Sequence, residues 1–309
     1  MDKIRKLQSV GQFNAERGQR VLHPLVSVLD QSQSRPVQTG RWLSELYIVF
    51  LKQDKCAPLV YGRQHYDYDE GTMLFIAPGQ VFGLEEDEAE SIQPTGWALA
   101  FHPDLIRGTA LSQHMKEYSF FAYEANEALH LSDRERALVV ECFRKIGDEL
   151  AYPIDKHSKR LIATNIELLL NYCVRFYDRQ FITRDHVHKD VLVRFEALLD
   201  DYFGSNKPQT GGLPTVRYCA EQLHLSANYF GDLVKKETGQ SAQDYIQTKV
   251  IELSKERMFD LSKSISEIAY EMGFKYPQHF TRLFKQRVGQ SPNEYRRTAA
   301  ADGRERLLN

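Results

Sequence analysis

LVKKETGQSAQDYI, running from Leu233 to Ile246, returns fifty residues further on as LFKQRVGQSPNEYR, from Leu283 to Arg296. Both copies keep an apolar pair, then a lysine, then Gly-Gln-Ser, then a tyrosine. Upstream the echo continues with one residue slipped: Ala220, Leu223 and Leu225 answer to Ala269, Met272 and Phe274, and Tyr229-Phe230 answers to His279-Phe280. Self-similarity of this kind marks two copies of one supersecondary unit.

Each copy has the parts of a helix-turn-helix: a first helix with an inward apolar stripe, a short turn, and a second helix with an apolar face of its own. In the second copy Ser264 and Glu267 have the spacing of a capping box, Ile265, Ile268, Ala269 and Met272 supply the stripe, and Gly273 suits a left-handed stop. Pro277 suits the first turn of the next helix. That helix turns Phe280, Leu283 and Phe284 inward and leaves Gln278, Thr281, Arg282 and Lys285 outside. Arg pairs with guanine, Gln with adenine, and a Thr methyl meets a thymine methyl in the major groove, while Lys285 is placed for a phosphate.

In the first copy Tyr229, Phe230, Leu233 and Val234 face inward, with Asn228, Gly231, Asp232, Lys235 and Lys236 outside. Asp232 stands where Arg282 stands, so this copy is expected to contribute affinity through Lys235 and Lys236 more than sequence choice. Between the units, Ala242 to about Asp260 reads as one helix. At about 1.5 Å per residue it spans roughly 28 Å, comparable with the ~34 Å between major-groove faces on one side of B-DNA.

Working towards the front, GSNKPQTGG at 204–212 has linker composition, and the main junction is placed between Arg184 and Gly212. The helix expected over 187–203 can belong to either side. Two further helices are expected: one after Ser132 or Asp133, and one from Ser158 to Tyr177 with an apolar surface wide enough to meet a partner subunit, Leu169 being chosen to test that. From Arg41 to His102 the runs LYIVFL, PLVYG, TMLFIAPG, VFGL and GWALAFHP are broken by Gly and Pro, which predicts an antiparallel sheet or barrel. EEDEAE, 85–90, reads as a solvated loop.

Composition narrows the function classes. Of the 309 residues, 42% are hydrophobic and 27% charged, with no apolar run long enough for a membrane span. MDKIRKLQSV lacks the apolar core of a secretory signal, so a cytoplasmic protein is expected. Net charge is −2, yet Thr215 to Arg297 carry 13 Lys and Arg against 10 Asp and Glu, a mildly basic tail. Cys56, Cys142, Cys173 and Cys219 form no C-x-x-C pair and read as buried thiols. His65, His102 and His114 are scattered, so neither a metal nor a cofactor is expected. His65 stands amid Tyr61, Tyr66 and Tyr68, as either a barrel-lining or a surface residue.

With KKETGQSAQDYI, SISEIAYEMGF and FTRLFKQRVGQSPNEYRR in place, the segment from Phe203 to Thr298 resembles the AraC/XylS family of bacterial transcription regulators. The resemblance implies that Asn228, Gly231, Asp232, Gln278, Thr281 and Arg282 contact bases. This chain departs from the family pattern at His224, in the turn where the second copy has Gly273, and at Gly231-Asp232. It implies an α+β chain: a cupin-like antiparallel β-barrel with a helical hairpin, then an all-α domain of two helix-turn-helix units joined by a linker helix. The divisions are 1–185 for sensing and dimerisation, 186–212 for a connecting helix and linker, and 213–298 for DNA binding. The expected partners are double-stranded DNA, RNA polymerase, a small-molecule effector and a second copy of the chain, with no membrane. The competing reading is a cupin-type metalloenzyme or a DNA-repair protein carrying a helix-turn-helix module.

Overall fold

A computed structural model describes residues 4–38, 40–52, 59–61, 71–84, 91–123, 127–183 and 185–298. Cys56, His65, Tyr66, Tyr68 and the acidic run 85–90 lie outside the described residues. The chain divides into two compact units, Met1–Arg184 and Asp185–Asn309.

The first unit begins with β1 (Arg5–Leu7), α1 (Val10–Glu16), β2 (Val26–Asp30), β3 (Val37–Gln38), β4 (Gly40–Ser44), β5 (Tyr47–Leu51) and β6 (Leu59–Tyr61). It continues with β7 (Thr72–Ile76), β8 (Val81–Leu84), β9 (Ser91–Ile92), β10 (Trp97–Phe101), α2 (Pro103–Ile106), α3 (Ala110–His114) and β11 (Leu129–His130). Two sheets form, in the orders β1-β4-β8-β6 and β11-β7-β5-β10-β2, with β3 and β9 as a separate ribbon. All pairings are antiparallel except β1 with β4. Alternate residues from both sheets, among them Trp42, Ile48, Phe50, Leu74, Ile76 and Phe82, share one core, the double-sheet form of a β-barrel.

The other face of the second sheet is covered as well. Phe75 meets Phe120, Phe121 and Tyr177, with ring centroids 4.4, 5.6 and 6.2 Å away, and Met73 meets Cys173. Residues on both faces are therefore buried, which is why TMLFI reads as an unbroken apolar run and not as an alternation.

A helical pair completes the unit: α4 (Asp133–Ala151) and α5 (Ser158–Thr183). Ser132 and Glu135 form a capping box at the start of α4, and Arg179 of α5 donates to both Glu135 oxygens at 3.0 and 2.8 Å. The wide apolar surface of α5 is spent inside the unit: Ile162, Ile166, Leu169, Leu170 and Cys173 are buried. Leu169, expected on a partner-facing surface, is 0% exposed, whereas Leu161 and Leu168 are 47% and 40% exposed. A charge at Leu169 would therefore act on the fold of the single chain.

The second unit is helical: α6 (Asp185–Gly204), α7 (Lys207–Gly211), α8 (Val216–Gln222), α9 (Ala227–Thr238), α10 (Ala242–Arg257), α11 (Ile265–Glu271) and α12 (Pro277–Val288). The helix that the sequence left undecided, α6, packs here. Phe195 is fully buried against Phe230 and Tyr245, the Tyr245 hydroxyl donates to Glu196, and Lys249 pairs with Asp200 at 2.7 Å. The stretch with linker composition folds too, because α7 has a Pro in its first turn and buries Pro208. The spacer helix is shorter than expected. It ends at Arg257, since Asp260 turns its carboxylate onto Ser262 N and Oγ at 3.0 and 2.6 Å and closes a side-chain turn. Its 16 residues span about 24 Å.

Candidate nucleic-acid interface

Both repeats fold as helix-turn-helix units, α8 to α9 and α11 to α12. Side chains close the starts of α8 to α11: Thr215, Ser226, Ser241 and Ser264 accept from backbone N–H groups three residues on, and Ser264 with Glu267 forms a full capping box, whereas α12 starts on Pro277 with no side-chain cap. The bonds from Ser264 hold the Glu267 carboxyl below its usual range. Each second helix ends on a left-handed glycine, Gly239 at φ 72° and Gly289 at φ 85°.

The two turns solve one backbone problem with different residues. Gly273 takes φ +90°, and His224, at the matching place, takes φ 59°, the single positive φ among the described non-glycine residues. Asn, Asp and His are the side chains that enter this region most readily. The departure at His224 thus leaves the first helix-turn-helix intact.

On α12, Phe280 and Phe284 are 0% exposed, while Gln278, Arg282 and Lys285 are exposed and Thr281 is half-buried. Leu283, expected inward, is half-buried. On α9, Tyr229, Phe230, Leu233 and Val234 are buried, Asn228, Lys235 and Lys236 are exposed, and Gly231 and Asp232 are half-buried. The two candidate sets are therefore each brought onto one outer helix face. Asp232 and Lys236 each already interact within the molecule.

Much of the basic charge counted in the tail is paired within the unit. Arg287 of α12 donates to Asp244 and to Gln247 of α10, Arg257 and Lys263 share Glu271, and Lys255 pairs with Glu252. Ser241, and after it Arg287, hold the Asp244 carboxyl below its ordinary range. Arg282 on α12 and Lys235 on α9 are both exposed and form no ion pair among the described residues. The sequence reading missed Lys275, Tyr276 and His279. Lys275 Nζ lies 5.7 Å from the Tyr276 ring centre, the Tyr276 and His279 rings are 5.5 Å apart, and all three residues are exposed. A basic and an aromatic residue directly before Pro277 was the available signal; pairing His279 with the buried Tyr229 hid it.

Residues 219–298 match the family model described as a helix-turn-helix domain. The HTH-type transcriptional activator RhaS of Salmonella paratyphi B is 31% identical over 243 residues, 77% of this chain and 80% of that protein. The uncharacterized HTH-type transcriptional regulator YfiF of Bacillus subtilis is 30% identical over 235 residues, 76% and 71% of the two chains. The chain belongs to the AraC/XylS family. This AraC/XylS protein is a DNA-binding transcription regulator with a β-sheet unit in front. Among solved structures, the C-terminal domain of AraT, a response regulator from Geobacillus stearothermophilus, shares 28% identity at a TM-score of 0.31, covering 35% of this chain and 84% of that one.

Cys142, Cys173 and Cys219 are buried, and burial raises each thiol pKa, that of Cys219 to about 12, so none is poised as a thiolate. No group of three or more His, Cys, Asp or Glu that could hold a metal occurs among the described residues. His102 caps α2 by accepting from Asp104 N at 3.2 Å, and His114 pairs with Glu167. No helix among the described residues is long and apolar enough to cross a membrane.

Proposed function

We propose that residues 213–298 grip one DNA duplex with α9 and α12, α12 carrying most of the sequence choice. Gln278, Thr281 and Arg282 read bases and Lys285 holds phosphate. Asn228, Gly231 and Asp232 face the neighbouring groove, and Lys235 and Lys236 anchor the backbone. Residues 1–185 bind a small effector and pair two chains, with Leu161 and Leu168 of α5 on the pairing face, and 186–212 connect the two functions. The regulator works in the cytoplasm and meets RNA polymerase at its promoters. The observation that carries the reading is α12 itself, an exposed Gln-Arg-Lys face backed by two fully buried phenylalanines.

Selection of bound duplexes from a random-sequence pool by the full-length protein tests it. An enriched motif whose affinity falls steeply with salt is expected, because each phosphate contact releases counterions. Affinity that ignores both sequence and salt would refute it.

A further inference from the structure

Arg257, the last residue of α10, stands where three elements meet. Its Nη1 donates to Glu271 of α11 at 3.1 Å, and its Nη2 donates to the carbonyl of Phe203 near the end of α6 at 3.0 Å. Lys263 Nζ donates to the other Glu271 oxygen at 2.7 Å, and Arg296 Nη1 donates to the Lys263 carbonyl at 2.8 Å. One guanidinium fork thus joins the helix that leads into the first helix-turn-helix, the spacer, and the first helix of the second. A point charge would not do this, because the planar fork sets direction as well as attraction.

A second contact crosses between the same halves. A Cβ built on Gly273 would lie 2.8 Å from the Gly212 carbonyl carbon and 2.9 Å from its oxygen, so the two backbones touch. The Tyr202 hydroxyl donates to that same Gly212 oxygen at 3.0 Å. The turn of the second helix-turn-helix is therefore seated on the segment that enters the first.

We propose that Arg257 is a positioning residue for DNA recognition: by holding α11 against α6 and α10 it fixes the offset between α9 and α12, and so sets the half-site spacing that this regulator accepts. The inference rests on α9 and α12 being the DNA-facing helices. One inserted base pair turns a half-site by about 34–36° and shifts it about 3.4 Å. A locked frame loses one helix's contacts at that insertion, whereas a loosened frame follows it.

The test starts from the duplex that full-length protein selects from a random pool and inserts one base pair between its half-sites. The wild type should lose about tenfold in affinity, as for a disrupted base contact. Arg257→Ala should lose about twofold or less for the same insertion, with unchanged affinity for a duplex carrying only the α12 half-site. Glu271→Gln keeps the shape but removes the charge and leaves one acceptor oxygen where Arg257 and Lys263 use two; it should relax spacing in the same way, so it decides the matter if Arg257→Ala does not fold. A wild type indifferent to the insertion, or a Glu271→Gln penalty equal to that of the wild type, would overturn the role of Arg257. A pool with no enriched sequence would instead overturn the DNA-binding reading beneath it.

Discussion

Gly273→Ala should damage the helical unit far more than the same change at Gly289. Both glycines sit at positive φ, +90° and +85°, so each alanine meets the left-handed penalty of about 1–2 kcal/mol. The surroundings differ. Nothing lies within 4 Å of a Cβ on Gly289, but on Gly273 it would press against Gly212 C and O and lie 3.1 Å from Leu213 N, all of them backbone. Backbone cannot rotate aside as a side chain can, so overpacking adds about 1–3 kcal/mol and brings Gly273→Ala to about 2–5 kcal/mol. Urea unfolding followed by ellipticity at 222 nm measures both variants. Trp42 and Trp97, the chain's two tryptophans, lie in the first unit, so their emission reports that unit alone. The Gly212 contact would be refuted by equal ellipticity midpoints for Gly273→Ala and Gly289→Ala.

Arg282→Ala should cost about 1–3 kcal/mol of DNA affinity and relax choice at one base pair, while Lys285→Ala should weaken all sequences alike and reduce the salt slope by about one; equal losses on every duplex would remove Arg282 from base reading. Leu169→Glu should destabilise the first unit by more than about 3 kcal/mol, since it buries a charge in a closed site. Leu168→Glu should leave the melting temperature nearly unchanged and shift the sedimenting species towards monomer, and an unchanged mass would exclude that face from pairing. Glu167, by its hydrogen bond, raises the pKa of His114 above 6.5, so the pair's contribution to stability is complete below about pH 6.5 and fades as pH rises through the higher folded value. Melting curves of His114→Gln should lose that dependence, and a wild-type slope retained in the variant would assign it elsewhere.

The helical unit was legible because its signals are local. A capping box, a left-handed glycine and a proline in a first turn act within four residues, and Ser264, Gly273 and Pro277 occupy those roles. Even the spacer's length was misread only by the short Asp260 turn. The front unit was legible where strands are buried on both faces, as at β5, β7 and β10. The strand β1 is three residues long and pairs in parallel with β4, a partnership no local pattern encodes. The burial of Leu169 inside the unit was hidden for the same reason, because periodicity reports that Leu169 is apolar and not which neighbour covers it. The pairing of Arg257 and Arg287 within the unit was likewise invisible, since a basic residue on a predicted helix carries no mark of whether its partner is a protein carboxylate or a DNA phosphate.

The repeat separates what the fold requires from what it leaves free. Gly239 and Gly289 share one left-handed conformation, Phe230 and Phe280 are both fully buried, and Ser241 and Ser291 each accept from the N–H of an acidic residue three positions on. These agreements lie on the inner face and at the helix ends. The outer faces disagree: Asn228 against Gln278, Gly231 against Thr281, Asp232 against Arg282. Lys235 and Lys285 agree, and both are exposed in the last turn of their helices. A merely solvated surface has no reason to keep a cation at one place while the charge three positions before it changes sign. Two modules that grip a uniform backbone and read different base pairs do, because phosphate is the same at every step and base edges are not.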